Sequence, residues 1–165
     1  MREQVSRHLS RTSAPASLLD VRAQPFSVTI VVGAIAASAT TGALLAMGHR
    51  AGRALMPFAA IGAVPFQRTD LGFAGLVFAG ALLHLVAMFV WAFVFVWLAE
   101  RTKQPVVAAI VVAAVNFMVS WLLTSATGRG VATALPLGDR VLFAVILAGA
   151  YVAGMRYALP GSRTT

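Results

Sequence analysis

The stretch "LGFAGLVFAGALLHLVAMFVWAFVFVWLA", Leu71 to Ala99, decides the fold, because it contains no Asp, Glu, Lys or Arg and only one titratable side chain, the imidazole of His84. A bilayer core needs about 20 consecutive apolar residues per helix. This run exceeds that length, so it must tilt or project from the membrane. It lacks period-two alternation and is too long for a buried strand, which predicts a helix. In lipid a helix also pairs its own backbone N–H and C=O groups.

Three further runs of the same kind flank it. "FSVTIVVGAIAASATTGALLAM", Phe26 to Met47, begins after Pro25 and gives way to "GHRAGR", which matches the preference for Pro at the start and Gly past the end of a helix. The third run is Pro105 to Leu123, and the fourth is roughly Arg140 to Ala158, with Asp139 as its expected cap and "LPGSR" as its close. Thr69 and Asp70 are the expected caps of the second. The predicted fold is all-α, a polytopic membrane protein with a four-transmembrane-helix bundle over residues 26–159 and spans at about 26–47, 71–99, 105–123 and 140–158. Residues 1–25 form a polar N-terminal tail or docking arm, 48–70 an interfacial loop, and 160–165 a C-terminal tail. "ASA" at Ala37 to Ala39 is similar to a signal-peptide cleavage site, but the apolar run continues to Met47, and a retained first helix is expected.

Composition agrees with a lipid-embedded chain: 59% of residues are hydrophobic and 11% charged, against about 25% charged in soluble domains. The formal charge of +8 does not indicate nucleic-acid binding, because the basic residues are scattered over the polar segments without a dense patch or interleaved aromatics. Their expected role is topological. With the N-terminus inside, Arg2, Arg7, Arg11, Arg22, Arg101, Lys103, Arg156 and Arg163 are cytoplasmic, while Arg50, Arg53, Arg68, Arg129 and Arg140 are on the other side. The positive-inside rule therefore predicts cytoplasmic termini, in a bacterial inner membrane. The absence of cysteine removes disulfides, thiolate metal sites and Cys nucleophiles.

Small residues at helical spacing mark expected packing faces. Ala34, Ser38, Gly42 and Ala46 form an i, i+4 stripe on the first helix, and Ala150, Gly154 and Ala158 another on the fourth. Such stripes let helix backbones approach closely, inside the bundle or against another protein. Phe89, Trp91, Phe93, Phe95 and Trp97 crowd the end of the second helix and suit lipid, a pigment or a neighbouring helix. The segment Gly48 to Asp70, broken by Pro57, Gly62 and Pro65, is too short to span and is expected to lie at the interface or to dip in and return.

His84 is the intramembrane residue that calls for a partner. "ERTKQ" is a tight turn, so the second and third helices form an antiparallel hairpin, in which His84 and Ser120 stand equally far from Thr102 and hence at similar depth. Asn116 lies one turn deeper on the face of Ser120. The expectation is a polar cluster of His84, Asn116 and Ser120 that ties the hairpin together with a hydrogen bond of about 0.6–2 kcal/mol. Gly80, His84 and Trp91 together resemble the small-xxx-His arrangement of light-harvesting polypeptides, which implies His84 as an axial ligand of (bacterio)chlorophyll or haem. His49 at a helix end and His8 in the tail offer no second buried histidine.

Enzymatic chemistry has no support in the motifs. Glu3, Asp20, Asp70, Glu100 and Asp139 all lie outside or at the edges of the spans, so no buried carboxylate pair serves acid–base work. No H-E-x-x-H, G-x-S-x-G or P-loop is present, and no inverted repeat relates the halves. With "PFAAIG" and "LPLGDR" in an Ala- and Gly-rich frame, the chain resembles small uncharacterised four-span bacterial integral membrane proteins. The functional expectation is a non-enzymatic accessory or structural subunit that contacts lipids and packs against other integral membrane subunits, as in a photosynthetic or respiratory complex. The rival expectation is a small transporter or channel, with His84, Asn116, Ser120 and Thr124 lining a polar path and the Pro57–Pro65 loop gating it.

Overall fold

The computed structural model describes residues 25–65, 71–130 and 134–159, and among them it is helical with no strand. The helices are α1 (Pro25–Arg50), α2 (Met56–Gly62), α3 (Phe73–Thr102), α4 (Pro105–Thr127) and α5 (Leu137–Ala158). All but α2 are long and apolar enough to cross a membrane, and the chain is a multi-pass membrane protein. The tails at 1–24 and 160–165, the expected caps Thr69 and Asp70, and Arg68 lie outside the described residues.

Local chemistry sets the helix ends. Lys103 adopts the left-handed conformation at φ 58° and donates its N–H to the Ala99 carbonyl, which ends α3, while Pro105 opens α4 two residues later. The Thr102 hydroxyl closes the turn by donating to the Leu98 carbonyl at 2.9 Å and accepting from the Gln104 N–H at 3.2 Å. Gly128, at φ 66°, ends α4 in the same way. Among the boundaries that differ from the sequence expectation, two have a visible cause. Gly48 does not stop α1, which continues to Arg50; a Cβ there would meet the Ala54 carbonyl, so its smallness admits the returning chain. Asp139 is not the cap of α5 but stands in its first turn, three residues beyond the N-cap Pro136, and pairs with Arg50 across the end of the bundle.

The four long helices form a ring in chain order, α1 beside α3 and α5, and α4 beside the same two. This is the up-down-up-down arrangement of a simple four-helix bundle. α3 is 30 residues long, about 45 Å by helical rise, so it exceeds a straight crossing as its sequence requires. It buries one stripe of residues near four apart: Gly80, His84, Met88, Ala92, Val96 and Ala99. Its other aromatics divide between roles, since Phe95 stacks on Tyr151 at 5.0 Å in the core while Phe93 and Trp97 face outward. The Arg101 guanidinium lies 5.4 Å from the centre of the Trp97 ring.

The described part of the expected interfacial loop, 48–65, contains a helix. Its helix α2 packs alongside α3 between Leu76 and His84, with Phe58, Ala59 and Ala60 buried. Two glycines make this possible: a Cβ at Gly80 would run into the Phe58 carbonyl, and one at Gly62 into the Leu76 carbonyl.

The bundle is packed differently at its two ends. Around the α3–α4 turn, Ala108, Ala109, Val112 and Ala113 interlock with Ala92, Phe95, Val96, Ala99 and Tyr151. These four are the buried residues of α4; from Asn116 onward it has none, so its second half leans away from the other helices. The space it leaves is the candidate site.

Candidate functional site

Between α3, the second half of α4 and α5, with α1 and α2 closing the sides, lies a cavity of about 400 Å³. Leu44, Ile61, Ala87, Met88, Trp91, Phe117, Leu135 and Phe143 supply apolar wall. His84, Asn116, Ser120, Thr124 and Arg140 supply the polar groups. All three members of the polar cluster expected from the sequence therefore line this one space.

The hydrogen bond they make differs from the expectation. His84 Nε2 lies 3.0 Å from the Thr40 hydroxyl oxygen of α1, and neither Ser120 nor Asn116 bonds the imidazole. Depth along a helix does not guarantee contact: α4 leans out where Ser120 sits, whereas α1 runs beside α3 at the level of Thr40. Thr40 is fully buried and His84 is 5% exposed, so His84 depends on Thr40 for polar satisfaction.

The protons in this pair can be assigned by counting. The Thr40 hydroxyl has one hydrogen, which it donates to the Ala36 carbonyl at 2.6 Å. Its oxygen is then an acceptor, so His84 Nε2 carries the hydrogen and, in the neutral ring, Nδ1 carries the lone pair. Phe58 and Phe143 hold the imidazole edge-on, at ring-centre distances of 5.9 and 6.3 Å. With Nε2 committed to α1, Nδ1 is the ring atom left for an occupant of the cavity.

Gly80 does not open a space for a macrocycle. The side of α3 that it leaves bare is filled by the α2 backbone at Phe58, so the small-xxx-His pattern serves helix packing here. Thr124 donates to the Ser120 carbonyl of its own helix at 2.9 Å, a satisfied wall residue.

At the mouth of the cavity the charges are unequal. Asp139 is paired with Arg50, whereas the adjacent Arg140 lines the cavity with its Nε buried and without a hydrogen-bond partner among the described residues. Sequence reasoning counted Arg140 only as a topological charge. The signal that points to it is its place one helical turn into α5, inside the capping segment rather than beyond it.

The packing stripes also separate. Ala150 and Gly154 of α5 are buried, and a Cβ at Gly154 would lie 3.0 Å from Val32 Cα, so this stripe is the α1–α5 contact; Ala158, at the helix end, is half-buried. On α1, by contrast, Ala34, Ser38, Gly42 and Ala46 face outward, and the inner face is Val32, Gly33, Ala36, Ala37, Thr40 and Leu44. Among the described residues no three His, Asp or Glu side chains gather as a metal site. Compared with protein families, curated proteins and solved structures, the chain matches none.

Proposed function

We propose that this protein is a non-enzymatic membrane subunit that holds an apolar or amphiphilic molecule within the bilayer. The observation that carries the reading is the cavity of about 400 Å³, within the size range of small-molecule sites and walled like them by apolar and aromatic side chains with a few convergent polar groups. By the count of basic residues its mouth faces away from the cytoplasm of a bacterial cell. The test is native mass spectrometry of the protein released from membranes in mild detergent. A lipid-like adduct should survive detergent exchange in the parent and be lost in Ala87→Trp, which fills the cavity. Absence of an adduct, or one indifferent to that substitution, would sink the proposal.

The accessory-subunit reading has an observation of its own. The outward stripe of Ala34, Ser38 and Gly42 has no use inside the bundle, and a Cβ at Gly42 would meet nothing within 4 Å. A partner's transmembrane helix fits such a face, because close backbone approach drives association in lipid. Gly42→Ile should then release a partner that co-purifies with the parent. A transporter would instead have to open the end of the bundle packed by Phe95 and Tyr151, and this makes holding a molecule the simpler role. Lipids, rather than nucleic acid, are the surrounding partners in this scheme.

A further inference from the structure

We infer that the occupant of the cavity is a long-chain fatty acid, its carboxylate at Arg140 and its chain running inward past His84 toward Trp91. This rests on the reading of the cavity as a binding site. Three observations lead to it.

The first is charge. Asp139, the acid nearest in sequence, is taken by Arg50, and Arg140 is left with an unpartnered buried Nε among the described residues. A buried donor without a partner is costly, and an anion removes the cost. The guanidinium offers two parallel N–H groups that match a carboxylate in a planar fork. Among the described residues one cation without an acidic partner lines the cavity, and it fits a monoanion better than a doubly charged phosphate monoester.

The second is shape. Arg140 stands one helical turn before Phe143 on α5, the Phe143 ring lies 6.3 Å from that of His84, and Trp91 follows His84 by two turns on the parallel helix α3, so by helical rise the lining spans roughly 15 Å. An extended chain with C–C bonds of about 1.5 Å advances about 1.25 Å per bond, so about 12 carbons lie along it. The volume of about 400 Å³ lies in the lower part of the range of small-molecule sites.

The third is polarity along the cavity. Away from the mouth, the α1, α3 and α5 walls present Leu44, Ala87, Met88 and Phe143, and the Nε2 hydrogen of His84 is already given to Thr40. A hydrocarbon chain can therefore pass His84 without stripping a donor of its partner.

The experiment uses the full-length protein in nanodiscs and compares palmitate with its methyl ester, which has the same chain and no charge. Binding is read by competition against a fluorescent fatty acid. The parent should prefer palmitate by roughly tenfold to a hundredfold, the range of a charge-assisted hydrogen bond. Arg140→Gln should erase that preference while leaving ester binding intact, and Arg140→Lys should keep part of it. Retained ester binding serves as the check on folding. If palmitate and ester bind the parent equally, or Arg140→Gln keeps the preference, the inference fails and the cavity remains a site for neutral molecules. If neither binds the parent, both the inference and the reading of the cavity fail.

Discussion

Replacing Thr40 by Val should destabilise the protein more than replacing His84 by Leu, although the two side chains form one hydrogen bond. Valine has nearly the shape of threonine, so the fully buried site of Thr40 stays filled and the change removes a hydroxyl. That hydroxyl is the acceptor for His84 Nε2–H. Its loss leaves a buried donor among Phe58 and Phe143, at a cost of about 1–3 kcal/mol. His84→Leu orphans nothing of the kind, because Thr40 still donates to the Ala36 carbonyl on its own helix. Only the net value of the bond is lost, about 0.6 kcal/mol on average between membrane helices and at most about 2.

The double variant Thr40→Val/His84→Leu removes both partners and should cost less than the sum of the singles, since an apolar pair leaves no unsatisfied group. The assay is reversible unfolding in mixed detergent micelles for the parent, the two singles and the double, with Ser120→Ala as the control from the opposite wall. Ser120→Ala should be additive with His84→Leu within about 0.5 kcal/mol. Two results would refute the reasoning: His84→Leu costing more than Thr40→Val, or the coupling appearing with Ser120 instead of Thr40.

Other substitutions probe the rest of the frame. Gly80→Val drives a side chain into the Phe58 carbonyl, a backbone atom that cannot swing aside; it should cost at least about 1–3 kcal/mol and expose α2 to proteolysis, and an unchanged digestion pattern would contradict the α2–α3 contact. Tyr151→Phe removes a buried hydroxyl with no partner among the described residues while keeping the stack on Phe95, so unfolding should show it neutral or stabilised by up to about 1 kcal/mol; a clear loss would mean the hydroxyl is bonded. Asp139→Asn breaks the pair with Arg50, whose side chain is 61% exposed, and should cost no more than about 1 kcal/mol, less in high salt; a larger, salt-insensitive loss in melting experiments would argue against a surface pair.

The elements of this fold are legible in the sequence because lipid demands long, internally bonded apolar runs, and runs such as Leu71 to Ala99 have no other stable form in water or membrane. Their ends are less legible. α4 runs on through Thr124, Ser125 and Thr127, past the apolar limit at Leu123, until Gly128 turns the chain, because nothing polar in that stretch opposes a helix. α2 was hidden by its prolines and glycines, which read as a broken loop. Pro57 stands at the helix start and Gly62 at a backbone contact, both places where these residues fit a helix.

The site was harder to read than the fold, and α1 shows why. In water, the buried face of a helix is its apolar face. In a membrane both faces are apolar, and period alone does not distinguish them. Ala34, Ser38 and Gly42 satisfy an i, i+4 pattern, but so do Val32, Ala36, Thr40 and Leu44, and the second set turns inward. What separates them is a hydrogen-bonding demand elsewhere in the chain. His84 sits on the buried stripe of α3 and needs an acceptor. The outward face offers Ser38, which is exposed, while the inward face offers Thr40, whose own proton is already spent on Ala36. Reading intramembrane polar residues as donors and acceptors to be matched across all neighbouring helices, rather than along one hairpin, selects Thr40 and with it the inner face of α1. The same accounting identifies the Arg140 Nε as a buried group at the cavity without a partner among the described residues, which is why an anionic guest is proposed there.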